Sequence, residues 1–349
     1  MTGRAPATYA AAGVSVAAGD AAVERIAQGL RSADRPGVLG ALGGFAGRFS
    51  LAEGNWRDPI LVAATDGVGT KLEIARATSR LATVGQDLVA MCVDDLVCTG
   101  AEPLFFLDYL AVGVVDPDRV AELVAGIDAA CVQVGCALLG GETAEHPGVL
   151  AADQFDLAGF AVGVVERDAQ LGPERVGPGD ALVLLASPGL RSNGYSLARH
   201  VLLEREGRDL DAPAWPGARR TLADELLEPS VLYAPHVLGV LAALPGAVHA
   251  AAHVTGGGLA ANLVRALPEG LAADVDRSGI ATPRIFEEIR TAGAIDDAEM
   301  AAAFNLGVGM VLVVDADAAD AVVAELGAGG LTAARGGRVL AGDREVRVR

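Results

Sequence analysis

At 349 residues the chain is long enough for two domains, and with hydrophobic residues at 52% but aromatics at only 4% their cores must be built from Ala, Val and Leu. A net charge of −18 excludes a general nucleic-acid-binding surface, because a phosphate backbone would be repelled by most of it. The four cysteines, Cys92, Cys98, Cys131 and Cys136, form no CxxC pair and sit in apolar runs, which reads as buried thiols in a reducing cytoplasm.

In chain order, residues 9–30 read as a polar lead-in and then a helix, with Asp20 as its N-cap and Val23, Ile26 and Leu30 at helical spacing. The opening segment has no apolar signal core, so secretion is not expected. Residues 37–47 are too glycine-rich for a regular element. Residues 59–64 predict a buried strand running into Asp66, and 83–98 a helix with Leu88, Met91 and Cys92 on one face and Asp87, Asp94 and Asp95 at its polar edge. A second strand is expected over 104–114, an amphipathic helix over 118–135, and a short strand leading to a turn at Gly140, Gly141 and Glu142. Another strand covers 155–165. The Gly/Pro-rich stretch 168–179 places a boundary between domains 1–170 and 171–349. Strands separated by helices imply an α/β or α+β layer architecture. Residues 229–264 lack Asp, Glu, Lys and Arg, but three prolines and a triple glycine interrupt them, so a membrane helix is not expected.

Five segments carry candidate chemistry. In 66–71, Gly67 and Gly69 allow close backbone approach to a ligand, Asp66 offers an oxygen for Mg²⁺, and Lys71 offers a point charge for phosphate; a tight turn with a surface lysine would read the same. No Walker loop and no Rossmann GxGxxG occurs. Asp94, Asp95 and Glu142 stand at element ends beside apolar runs and suit Mg²⁺ together with nucleotide phosphates; a pair of aspartates that simply ends a helix in solvent would read the same. Ser192 and Asn193, ahead of a helix over 197–203, suit either an anion or plain capping. His253 with Gly256, Gly257 and Gly258 reads either as a proton carrier beside a turn of backbone N–H groups or as a satisfied core histidine, and Asn262 and Arg265 follow on a helix. The glycines of 304–310 read as close packing ahead of a strand ending at 314, and 338–349 as short strand.

Taken in order, YAAAGVSVAAGDAAVERI, TDGVGTKL, GQDLVAMCVDDLVCTGAEPLFFLDYLA, GGETAEHPG, FDLAGFAVGVVE, RSNGYSLAR, HVTGGGLAANLVRALP and FNLGVGM resemble the phosphoribosylformylglycinamidine cyclo-ligase (aminoimidazole ribonucleotide synthetase) family over nearly the whole chain. The resemblance implies a two-domain cytoplasmic subunit: an N-terminal ATP-binding domain whose sheet pairs into a barrel across a homodimer, and a C-terminal mixed sheet with helices. It implies ATP-dependent ring closure of formylglycinamidine ribonucleotide to aminoimidazole ribonucleotide, ADP and phosphate in purine biosynthesis, with ATP and Mg²⁺ as cofactors. The site residues it implies are Asp66, Asp94, Asp95 and Glu142 for metal, Gly67, Gly69, Thr70, Lys71 and Gly141 for ATP, Arg191, Ser192, Asn193 and Gly256 to Gly258 for substrate, and Asp66, Lys71 and His253 for catalysis. Arg191 stands where the family often has His, Asp94 where Asn is common and His146 where Met is common, so a base at 191 does not transfer and Asp94 and Asp95 stay alternatives for the metal. A selenophosphate synthetase, a thiamine-monophosphate kinase or a non-catalytic paralogue are the competing readings; none fits RSNGYSLAR and HVTGGG together with an intact acidic set.

Overall fold

A computed structural model describes residues 7–9, 12–40 and 44–349. The first helix, α1 (Val16–Gly29), starts earlier than expected: Ser15 rather than Asp20 is the N-cap, its side chain accepting from the Ala18 amide. Of the 37–47 stretch, residues 41–43 lie outside the described residues; the flanking residues hold only a bridge between Val38 and Phe49.

Strand β1 (Pro59–Gly67) runs through Asp66 and is followed by α2 (Lys71–Thr78) and α3 (Ala82–Val97). Then come β2 (Glu102–Val112), α4 (Pro117–Gln133), β3 (Ala137–Glu145) and β4 (Phe155–Glu166). The turn expected at Gly140 to Glu142 does not exist, because β3 continues straight through it, bonded in parallel to β2. The four strands form one sheet in the order β1-β4-β2-β3. Alternation divides its faces: Leu157, Ala161 and Val165 pack inward, whereas Leu61, Tyr109 and Phe160 stand 59%, 42% and 40% exposed on the other side. Phe49 packs on Phe105 of that outer face, and Val162 and Val164 are buried there; among the described residues nothing covers the part that bears Leu61, Tyr109 and Phe160.

The second half contains β5 (Ala181–Ala186), α5 (Tyr195–Arg199), α6 (Leu222–Leu226), α7 (Ala234–Ala243), β6 (Val248–His253), α8 (Gly258–Leu263), β7 (Leu271–Val275), α9 (Arg284–Gly293), α10 (Asp297–Ala303), β8 (Val308–Val314), α11 (Ala319–Ala328), β9 (Ala333–Ala341) and β10 (Val346–Val348). Its mixed sheet has the order β10-β7-β9-β5-β8-β6. Period-2 alternation serves both faces: Val183 and Leu185 join the main core, while Leu182 and Leu184 join a second cluster with Leu259 and Leu263 of α8. A two-domain α+β fold with a mixed C-terminal sheet therefore matches the expectation. Among the described residues no helix is long and apolar enough to cross a membrane.

Helix α3 is the hinge of the architecture. Its apolar residues, from Val84 to Val97, lie in the same core as Tyr233 and Val237 near and on α7, so the two halves share one apolar interior. The expectation of a polar edge on this helix is wrong at two of three positions. Asp87 and Asp94 are completely buried, because both sides of α3 are covered by protein.

Candidate active site

Three strand ends converge. Strand β1 delivers Asp66, whose Oδ1 accepts from the Gly67 amide at 2.7 Å. The loop after β5 delivers residues 191–194, and β6 ends on His253 ahead of the triple glycine. Thr70 Oγ1 meets Ser196 Oγ at 3.0 Å, joining the first loop to the second. A Cβ on Gly256 would lie 3.7 Å from Asn193 Oδ1, which joins the second to the third. The third turn needs glycine: Gly257 and Gly258 have φ of +92° and +71°, and a Cβ on Gly258 would fall 1.8 Å from the Ala301 carbonyl oxygen. Asn262 fixes this turn from below, its Nδ2 donating to the carbonyls of Thr255, Gly256 and Gly258.

Beneath the rim lies a buried ionic layer built on α3. Asp87 and Asp94 are seven residues apart and so share a helix face. Asp87 holds Lys71 Nζ at 2.6 Å and accepts from the Ser230 amide and hydroxyl; Lys71 also donates to the Glu228 carbonyl at 2.8 Å. Asp94 accepts from Arg191 Nη2 at 2.7 Å and from the amides of Tyr233 and Ala234. Burial pushes the Lys71 amine below its ordinary pKa, opposed by the Asp87 charge, and pushes the Asp94 carboxyl above its own, opposed by Arg191.

Arg191 is fully enclosed, with a left-handed backbone (φ +62°), its guanidinium 4.7 Å from the Tyr233 ring centroid and Nη1 donating to the Val231 carbonyl. A non-glycine residue held there stores strain that the surrounding contacts must over-determine. Its Nη2 also lies 3.0 Å from His253 Nε2. A guanidinium only donates, so Nε2 is the acceptor and the imidazole proton sits on Nδ1. That Nδ1–H donates to Asp95 Oδ1 at 2.9 Å. Asp95 is the carboxylate of α3 that reaches the surface, with its side chain 46% exposed.

Asp66 and Asp95 fit a divalent cation. Each has one oxygen held by a donor, Gly67 N–H or His253 Nδ1–H. Burial raises the Asp66 carboxyl above its ordinary range, and the neighbouring Asp95 charge adds to that rise, the repulsion a cation would relieve. Mg²⁺ characteristically uses one or two carboxylates together with phosphate oxygens. Among the described residues, no cluster of three His, Cys, Asp or Glu side chains is assembled for a metal.

Residues 56–165 match the domain described as "AIR synthase related protein, N-terminal domain", and residues 177–349 match its C-terminal domain. The chain belongs to the AIR synthase related proteins. Its fold is also that of thiamine-monophosphate kinase from Stenotrophomonas maltophilia K279a, at 23% identity and a TM-score of 0.66 over 94% of this chain and 95% of that one. The hydrogenase maturation protein HypE, solved in complex with ATP, is 19% identical with a TM-score of 0.65 over 93% and 90% of the two chains. AaThiL, solved with AMPPCP and TMP, is 17% identical with a TM-score of 0.55 over 83% of each chain.

Within this AIR synthase related chain the expected site residues fall into three groups. Asp66, Gly67, Gly69, Thr70, Asp95, Ser192, Asn193, His253 and Gly256 to Gly258 belong to the three converging loops and the α3 end beside them. Lys71, Asp94 and Arg191 lie under the rim, where the two halves meet. With its amine enclosed by Asp87 and Glu228, Lys71 would have to leave both to reach a phosphate. Gly141 and Glu142 stand apart: Asp66, Gly159, Asp108 and Gly141 occupy one cross-strand row, which puts Gly141 three strand spacings, about 14 Å, from Asp66. Glu142 is exposed opposite Tyr109 on that far strand. His146 is a surface residue, its Nε2 3.4 Å from the Tyr109 hydroxyl.

The sequence reading missed Asp108. Burial pushes its carboxyl up to about 6, and a Cβ on Gly141 would sit 1.9 Å from its Oδ1, so glycine at 141 makes room for this acid rather than for a turn. Its strand alternation, acid between Phe106 and Leu110, was the available signal. Asp87 was legible too, lying one heptad before Asp94 on a largely apolar helix.

Proposed function

We propose that this protein closes the imidazole ring of aminoimidazole ribonucleotide from formylglycinamidine ribonucleotide, consuming ATP and releasing ADP and phosphate. The observation that carries the reading is the convergence of the loops around Asp66, Asn193 and Gly256 beside Asp95. It gathers four of the motifs that resemble the cyclo-ligases onto one rim. The fold shared with proteins solved with ATP or AMPPCP supports nucleotide use.

An amide carbon is a poor electrophile and its oxygen a poor leaving group. Transfer of the ATP γ-phosphoryl to the formamide oxygen forms the O–P bond as the bridging P–O bond to ADP breaks. The amidine nitrogen then attacks that carbon, the C–O bond breaks, phosphate departs with its electron pair, and the nitrogen loses a proton. Asp66 and Asp95 would hold Mg²⁺, which supplies charge neutralisation at the phosphates. Thr70 with the Gly67 and Gly69 backbone would position the ATP phosphates, and Ser192, Asn193 and Gly256 to Gly258 the substrate. His253 receives or gives a proton at Nε2 only when Arg191 releases that atom. Arg191 and Lys71 act from beneath, by holding the loops in place.

The uncovered face bearing Leu61, Tyr109 and Phe160 supports pairing of two subunits through the four-stranded sheet, with light scattering as the check. For the reaction, purified protein is given ATP, Mg²⁺ and formylglycinamidine ribonucleotide, with thiamine monophosphate in a parallel tube. The reading expects aminoimidazole product and ADP in equal amounts, and a loss of at least 100-fold in Asp66→Asn with its circular dichroism unchanged. No substrate-dependent ADP, or near-normal turnover in Asp66→Asn, refutes it. Phosphorylation of thiamine monophosphate instead would transfer the chain to the kinase reading.

A further inference from the structure

Two sheet edges face one cavity. Strand β1 is an outer strand of the first sheet and β6 of the second, and residues 62–65 and 250–253 both line a cleft of about 410 Å³. That volume suits a small molecule. Most of its lining is Ala, Val, Leu, Gly and Pro, and its charged or titrating side chains are Asp95, His253, Arg265 and Cys98. Among the described residues Arg265 supplies its only guanidinium.

Arg265 is aimed. Its Nη1 donates to Asn262 Oδ1 at 3.4 Å, and Asn262 is buried with its Nδ2 committed to the carbonyls of Thr255, Gly256 and Gly258. The three carbonyls fix which end of the amide is oxygen, so Oδ1 has to face Arg265. Elsewhere the surface arginines of this acidic chain commonly pair, as Arg167 does with Asp58 and Arg290 with Glu287. Among the described residues Arg265 has no carboxylate partner. A planar guanidinium held at one nitrogen and free at the others is matched to the oxygens of a phosphate monoester.

We infer that this cleft is the substrate pocket and that Arg265 anchors the phosphate monoester of a sugar-phosphate substrate. The uncharged middle of the molecule would lie against residues 62–65 and 250–252, and its nitrogen-bearing end toward Asp95. Resting on the ATP-dependent reading above, the inference names the residue that selects the second substrate. Arg265 thereby sets polarity: the anionic end is drawn to its guanidinium, away from the end of the cleft where Asp95 would hold Mg²⁺.

The test is isothermal titration of the whole protein with ribose 5-phosphate, and separately with AMPPNP and Mg²⁺. Wild type is expected to bind both. Arg265→Gln should weaken ribose 5-phosphate at least tenfold and Arg265→Lys by less, with AMPPNP affinity unchanged within twofold in each; Arg265 is exposed, so neither change threatens folding. Ribose 5-phosphate affinity unchanged in Arg265→Gln, or no binding by a wild type that binds AMPPNP, overturns the cleft assignment alone. Wild type that binds ribose 5-phosphate through Arg265 but not AMPPNP sinks the ATP reading and keeps the anchor.

Discussion

Replacing Lys71 by Met separates a buried strut from a phosphate ligand. Both Lys71 and Asp87 have 0% side-chain exposure, and their charged atoms are 2.6 Å apart. Methionine keeps most of the aliphatic stem but removes the amine, leaving the Asp87 carboxylate with Ser230 alone and the Glu228 carbonyl without its donor. Breaking one half of a buried ion pair costs about 3–5 kcal/mol, because the other charge stays desolvated. Against a total stability on the order of 5–15 kcal/mol that is a large fraction. Lys71→Met/Asp87→Leu removes both charges, so it should cost less than the two single changes added together, with a coupling of about 2 kcal/mol or more. Urea unfolding followed by circular dichroism measures each midpoint, and an unchanged m-value confirms that the same surface is exposed. A Lys71→Met cost under about 1 kcal/mol, with AMPPNP binding abolished, would refute the strut and make Lys71 a ligand after all.

Asp108 gives a pH signature. Its carboxyl is raised from 3.8 to about 6 by burial, so the native state favours the protonated form. Its contribution to stability is complete below pH 3.8 and is lost as pH rises through about 6; the shift of two units is worth about 3 kcal/mol. Asp108→Asn should therefore be more stable than wild type at pH 7.5 by up to that amount, and flatter between pH 4 and 7 in urea titrations; a less stable variant at pH 7.5 contradicts this. Arg191→Lys should release His253 Nε2, since a shorter point-charge amine cannot serve Asp94, Val231 and His253 together. Nitrogen-15 NMR of the wild-type ring should show the proton on Nδ1, and the variant should gain the Nε2–H form. A wild-type ring protonated on Nε2 would contradict the hydrogen-bond assignment.

The strands and helices were legible because alternation and helical spacing report one buried face each. They placed β1, β2, β4 and the helix α4 close to where they lie. The same local signals misread β3 and α1. Gly140 and Gly141 look like a turn to any rule that knows only neighbours, yet Gly141 is small to make room for Asp108 on the next strand. Ser15, extended and with its side chain accepting from the Ala18 amide, is the cap, and Asp20 lies inside the helix.

By itself the sequence determined the two-domain α+β plan and the loops that end β1 and β6. Only the tertiary structure decided which charges face the cleft and which are enclosed. Asp94 and Asp95 are adjacent in sequence, but α3 rotates about 100° between them, so one is enclosed by Arg191 and Tyr233 while the other lines the cleft. Lys71 and Arg191, which read as ligand contacts, lie beneath the rim because a helix covered on both sides leaves its aspartates no solvent. Those buried acids need cations brought from distant parts of the chain, Asp94 its Arg191 from the second half.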